Sequence, residues 1–231
     1  HRIGFLGNNT FPALTNAFVR LNSNGTLDTV TDGLDVAGQG FNNFTQFKTL
    51  GSGKMVVIGQ FEDFQGKYKG SIAIIDSNFR LDPEFKPKPG FKDPIHKTLV
   101  QPDGKIYVGR KMYEESDLTV YNDTVVAGLT RINVDGSLDT TFHIPDSLFV
   151  SVQAMARQTD GKIVVAGTTR WFDGNYNPGV VNLARFNPDG SLDSSFITYN
   201  FAGFPLNEVL IQQDGKIILL GSFQPVSGSP Y

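Results

Sequence analysis

Thr159-Asp160-Gly161-Lys162-Ile163-Val164-Val165-Ala166-Gly167 is the stretch whose reading decides the fold. Asp-Gly ahead of an apolar run is among the strongest short-range hairpin signals, because Gly takes a positive φ at no steric cost. The run after it is apolar and mostly β-branched, which suits a strand covered on both faces. Just before the turn, residues 152–157 read as a short extended run. After a variable loop at 168–179, residues 181–186 read as a third strand. Asn187-Pro188-Asp189-Gly190 is a second tight turn, with Pro pre-setting φ and Gly closing it. Residues 191–196 complete the unit as a short fourth strand. No window carries a sustained helical spacing of apolar residues.

The unit recurs. Gly-Lys followed by an apolar run stands at Gly53, Gly104, Gly161 and Gly215, at intervals of 51, 57 and 54 residues. Leu-Asp stands at Leu27, Leu81, Leu138 and Leu192, at intervals of 54, 57 and 54. The two phrases keep step, so the chain is an array of modules of about 54 residues, the signature of a solenoid, propeller or repeat array. Four antiparallel strands per module, named a to d from the axis outward, predict an all-β fold: a β-propeller of four-stranded blades. A twisted β-solenoid is the structural alternative, and the long, uneven b–c loops argue against it.

The sequence reads as a single propeller domain over 1–231, with repeats at about 1–42 (partial), 43–93, 94–150, 151–205 and 206–231 (partial). That is about four and a quarter blades and seventeen strands. Sixteen would close four blades and twenty would close five, so the expectation is an excerpt of a larger propeller. Val56-Val57-Ile58, Ile106-Tyr107-Val108, Ile163-Val164-Val165 and Ile217-Ile218-Leu219 are expected to be equivalent b strands, with positive φ at Gly104, Gly161, Gly190 and Gly215.

The phrases at 185–196 and 213–223 resemble the delta-60 repeat, a bacterial β-propeller repeat of unknown function. The resemblance is good around 101–105 and weaker at 51–54 and 76–79. It implies an exported or cell-surface protein, with Bacteroidetes and myxobacteria as typical sources and lipoproteins beside nutrient-uptake machinery as a typical setting. It implies no catalytic residues.

Composition narrows the function classes. Net charge is −3 and no basic stripe is present, against nucleic-acid binding. There are no cysteines, which excludes disulfides, thiol nucleophiles and Cys-ligated metals. No apolar run approaches the ~20 residues of a spanning helix, so no direct membrane insertion is expected in this segment.

Topology places function. The a–b and c–d turns are short and nearly the same in every copy, and should share one end of the blades. The b–c connectors (8–15, 60–70, 110–128, 168–179) and d–a connectors (29–39, 86–94, 143–149, 197–206) are long, differ in every copy, and should share the other end. Binding residues concentrate on loops held by a rigid scaffold, so the diversified end is the candidate ligand face. Its rings are Phe64, Tyr68, Tyr113, Tyr121, Trp171, Phe172, Tyr176 and Phe204. Flat apolar rings beside carboxylates and amides suit a glycan or peptide, or a neighbouring surface protein. The competing reading is that these rings cap blade ends and fill gaps.

Catalytic and metal chemistry finds little support. Asn187, Asp189, Ser191 and Asp193 alternate like calcium ligands, but an EF-hand-like loop wants Gly sixth and Gly190 falls fourth, so they read as a structural turn. The recurrent Asp28, Asp82, Asp139 and Asp193 face Arg20, Arg131 and Arg185, yet Asp82 persists where Ile74 replaces the Arg, so the Asp is expected to accept backbone N–H bonds. Glu114, Glu115 and Asp117 read as a solvated run, with glycoside chemistry the alternative. His1, His96 and His143 fall in different phases of the repeat and form no metal site. No cofactor and no enzymatic activity are expected. Asp123-Thr124-Val125 resembles a bacteroidete O-glycosylation motif.

Overall fold

The computed structural model describes residues 5–6, 9–10, 20–26, 28, 43–60, 63–64, 67–68, 70–87, 90–91, 95–111, 119–171, 181–197, 201–202, 206–222 and 224–225. Among them every regular element is a strand. In chain order, β1 (Phe5–Leu6) pairs with β2 (Asn9–Thr10). The second module holds β3 (Asn43–Thr49), β4 (Met55–Gln60), a small hairpin of β5 (Asp63–Phe64) and β6 (Lys67–Tyr68), and β7 (Ile72–Ile75). The third holds β8 (Lys97–Val100), β9 (Ile106–Gly109), a hairpin of β10 (Thr119–Tyr121) and β11 (Thr124–Val126), and β12 (Leu129–Ile132). The fourth holds β13 (Leu148–Arg157), β14 (Ile163–Trp171) and β15 (Val181–Phe186). β16 (Phe201–Ala202), β17 (Leu206–Ile211), β18 (Ile217–Gly221) and β19 (Gln224–Pro225) follow.

Modules two to four each form a three-stranded antiparallel sheet, β3-β4-β7, β8-β9-β12 and β13-β14-β15. These are the a, b and c strands in the expected order. The fourth strand is not formed as expected. In each module d is a single bridge to the end of strand c: Ile75 to Leu81, Ile132 to Leu138 and Phe186 to Leu192. The reason lies in the next residue. Asp82, Asp139 and Asp193 donate their backbone N–H to strand c but turn their carboxylates into the following two residues, which ends the ladder.

Strand alternation explains how the sheets stack. Val56, Ile58, Ile72 and Ile74 of module two pack against Ile106, Val108 and Ile132 of module three. Tyr107 and Leu129, on the opposite face, pack against Ile163, Val165, Ala184 and Phe186 of module four. Val164, Ala166 and Leu183 then meet Val209, Ile217 and Leu219 of module five. Successive side chains point to opposite faces of a strand, so one uninterrupted apolar run serves two interfaces. Each fully buried aliphatic contributes about 1.5–3 kcal/mol. The same alternation corrects the strand equivalence by one residue: Met55 and Val57 share a cluster on one face of β4 while Val56 and Ile58 share the other, so Met55, not Val56, matches Ile106.

The first strands lie together. β13 packs on both β8 and β17. Lys97 Nζ of module three stands 3.6 Å from Glu208 Oε2 of module five. Thr98 Oγ1 donates to Gln46 Oε1 at 2.9 Å, and Leu206 N donates to Gln153 Oε1 at 3.1 Å, stapling each a strand to a neighbour's.

The turns follow the sequence. Gly104, Gly161, Gly190 and Gly215 have φ of +84°, +90°, +93° and +83°. In the Asp76-Ser77-Asn78-Phe79 turn the residue in the Gly position is Phe79, at φ +59°.

Candidate functional site

The two kinds of turn gather as the topology requires. A Cβ on Gly161 would sit 3.3 Å from Pro188 Cγ, placing the a–b turn of module four against its c–d turn. The two kinds of connector also meet. Phe91, in the d–a connector of module two, forms a bridge with Tyr121 in the b–c hairpin of module three. Gly90 N donates to Asn122 Oδ1 at 2.9 Å, and Asn122 N to Gly90 O at 3.2 Å. The pattern repeats two modules later, between modules four and five, where Phe201–Ala202 pairs with Gln224–Pro225. The separation of ends is less clean than the sequence suggested. Lys86 N donates to Asp135 O at 2.8 Å and His143 N to Asp189 O at 2.8 Å. The connector of module two therefore runs along module three from its c–d turn to its b–c hairpin.

Tyr121 corrects the list of candidate rings. It is fully buried, its ring centroid is 4.3 Å from that of Phe91, and its hydroxyl donates to the Gly136 carbonyl. Burial pushes its phenol well above the usual range. A ring so placed fills the gap between modules and offers no face to a ligand. Residues 110–128, expected as a long connector, contain the hairpin that carries it. Its turn, Asn122-Asp123, has φ of +49° and +61°, the pattern of a type I′ hairpin. The signal was present as two extended triplets flanking Asn-Asp, a weaker cue than Asn-Gly. Phe64 lies on β5, opposite Lys67, and Tyr68 on β6, opposite Asp63. Trp171 ends β14, opposite Leu148. Tyr113, Phe172, Tyr176 and Phe204 lie outside the described residues.

A groove that sequence reasoning missed opens beside the β10–β11 hairpin. Its volume is about 520 Å³. One wall is the run from Thr124 to Thr130; the other is formed by Leu138, Thr140 and the run from Phe142 to Pro145, continuing to Val150. Leu148, Ile144 and Phe142 are buried behind it, while Val125 is 60% exposed at its rim. His143 Nε2 stands 3.6 Å from Asp146 Oδ1, both side chains well exposed, an ion pair of little weight. Nothing in the local sequence marks the groove, because its two walls are separated by a turn and a bridge.

The recurrent carboxylates are structural, and their second partner was not foreseen. Asp82 Oδ1 accepts the Glu84 N–H at 3.2 Å, the backbone role expected of it. Its Oδ2 accepts Lys54 Nζ at 2.7 Å. Lys105 Nζ meets Asp139 Oδ2 at 2.8 Å, and Lys162 Nζ meets Asp193 Oδ2 at 2.7 Å. The Lys of Gly-Lys and the Asp of Leu-Asp are thus one ion pair, which their shared period could have revealed. Burial alone would raise the Asp139 carboxyl. Hydrogen bonds from Lys105, Thr141 and Arg131 outweigh it and hold that carboxyl well below the usual range. Lys162, with Ser195 next, does the same for Asp193. Asp189 Oδ1 accepts the Ser191 N–H and hydroxyl at 2.9 and 2.7 Å, which makes that segment a turn. Among the described residues no three His, Asp or Glu side chains are grouped to hold a metal ion.

The family comparison fits the repeat read from the sequence. A model of the family described as a domain of unknown function (DUF5122) beta-propeller matches residues 8–29, 101–142 and 158–196. The described residues are all-β, and the three matched segments are similar to β-propeller repeats. Among solved structures it is similar to the extracellular domain of a putative one-component system from B. thetaiotaomicron. Identity is 14%, the TM-score is 0.35, and the match covers 78% of this chain and 26% of that one. The chain thus spans about a quarter of that protein's length. No curated protein matches it. Among the described residues no helix is long and apolar enough to cross a membrane.

Proposed function

We propose that this is a non-catalytic, cell-surface β-propeller module that binds a glycan or a peptide through its connector face, as an accessory to nutrient uptake or adhesion. One observation carries the reading. The d–a connector of one module pairs with the b–c connector of the next, at Phe91–Tyr121 and again at 201–202 with 224–225. Segments that vary from copy to copy are thereby held edge to edge on a scaffold whose turns vary little, the arrangement in which loops carry recognition. The tested form is the intact chain on paired glycan and peptide arrays. Reproducible binding of one ligand class supports the reading, and silence on both arrays removes it.

A second reading, an assembly module, has its own support. Leu210, Ile218 and Leu220 form an exposed stripe on module five. Their counterparts in modules two to four are the faces covered by the following module. The partner fitting that stripe is another blade of the same repeat. Sedimentation of the chain with and without Leu220→Lys separates the two readings, since ligand recognition through the connectors does not require self-association.

A further inference from the structure

Resting on the connector-face reading, we propose that the groove beside β11 takes an extended peptide, which adds to the open edge of β11 and sets its aliphatic side chains into the cavity. Three features converge there. β11 pairs with β10 along one edge and, among the described residues, with no other strand. Thr124 and Val125 of that strand are exposed. The cavity that Thr124, Val125 and Val126 line, about 520 Å³, falls within the range of small-ligand sites, and Leu138, Ile144 and Leu148 form its aliphatic wall. An edge strand beside an apolar pocket is the arrangement used in strand addition. Backbone hydrogen bonds supply affinity, and alternate side chains supply specificity.

The same groove disfavours a sugar. Its phenylalanine rings, Phe142 and Phe149, are only 4% and 5% exposed, so little ring face is open to the C–H side of a pyranose. Sugar hydroxyls set against Leu138, Ile144 and Leu148 would lose water without gaining partners, a cost of about 1–3 kcal/mol for each such group, although threonines, His143 and Asp146 also line the groove. An extended peptide has the opposite balance. Its polar backbone meets the polar strand edge, while every second side chain is free to be apolar.

The test uses the intact chain on an array of capped random octapeptides and on a glycan array, followed by titration of the best ligand. Expected are peptides with aliphatic residues at alternate positions. Thr140→Trp, which narrows the mouth from an exposed position, and Val125→Glu, on the rim, should each weaken binding at least tenfold with unchanged melting. N-methylation of alternate amides on the paired edge of the peptide should weaken it similarly. Peptide binding indifferent to both variants, or to N-methylation on either edge, overturns the inference while the connector reading stands. So does binding of glycans alone. Silence on both arrays overturns the inference and the reading together.

Discussion

Lys162 Nζ lies 2.7 Å from Asp193 Oδ2, tying the a–b turn of module four to the segment that follows its c–d turn. Arg185 Nε reaches the same oxygen at 2.8 Å, and the guanidinium lies 4.7 Å from the centroid of Phe196. The cluster recurs as Lys105, Arg131 and Asp139 one module earlier. In modules three and four the cluster lies beside the single bridge that strand d makes to strand c.

Acid should weaken the fold through these carboxylates. Asp139 and Asp193 are held below the ordinary carboxylate range in the folded chain. The unfolded chain therefore binds protons first, at about pH 3.9, and the stabilisation is fully present above that value and lost as pH falls toward the folded pKa. Urea midpoints should be level between about pH 7 and 5 and drop steeply below about pH 4. Asp139→Asn should lower the neutral midpoint and flatten the acid limb. Truncation to Ala, which leaves Arg131 buried without its carboxylate, should cost about 3 kcal/mol. An acid limb unchanged in Asp139→Asn would exclude this carboxylate as a contributor.

Gly161→Val should be costly. At φ +90° a β-branched residue is strained whatever the space, and Pro188 stands close by. A loss of about 2–3 kcal/mol is expected, beyond the ~1 kcal/mol of an ordinary Gly position. A thermal melt equal to the parent's would refute the turn geometry.

Phe79→Gly sets two effects in opposition. The substitution relieves a positive φ of +59°, about 1–2 kcal/mol. It also removes a buried ring that packs with Val57 and Ile75 and lies 5.0 Å from the Arg20 guanidinium, a loss of about 3–5 kcal/mol. Burial should win, leaving the variant less stable by roughly 2 kcal/mol. Calorimetry showing a more stable variant would mean that backbone strain dominates.

Ligand binding should separate Tyr121 from Trp171. Tyr121→Phe leaves the Gly136 carbonyl only the 3.5 Å bond from Asn122 Nδ2 and should cost about 1 kcal/mol of stability with no change in affinity. If Trp171 anchors a ligand, Trp171→Ala should weaken binding about tenfold or more with the fold intact. Asp189→Ala, in a c–d turn, should leave affinity unchanged. Equal losses from Trp171→Ala and Asp189→Ala would place the ligand elsewhere.

The sequence by itself determined the module, its strand order, both tight turns and the apolar b strands. These depend on φ at single glycines and on alternation within a few residues, which neighbours in the chain impose. Tertiary structure alone decided what Tyr121 does. Phe91, 30 residues earlier, and Gly136, 15 residues later, come together around it only when modules two and three stack. The same holds for Gly167, where a Cβ would lie 1.9 Å from the Ser151 carbonyl oxygen: the sequence shows a glycine ending a strand, and only the facing strand shows why nothing larger fits. The groove beside β11 belongs to this second kind, since a cavity is the space left between segments, and no single segment encodes it.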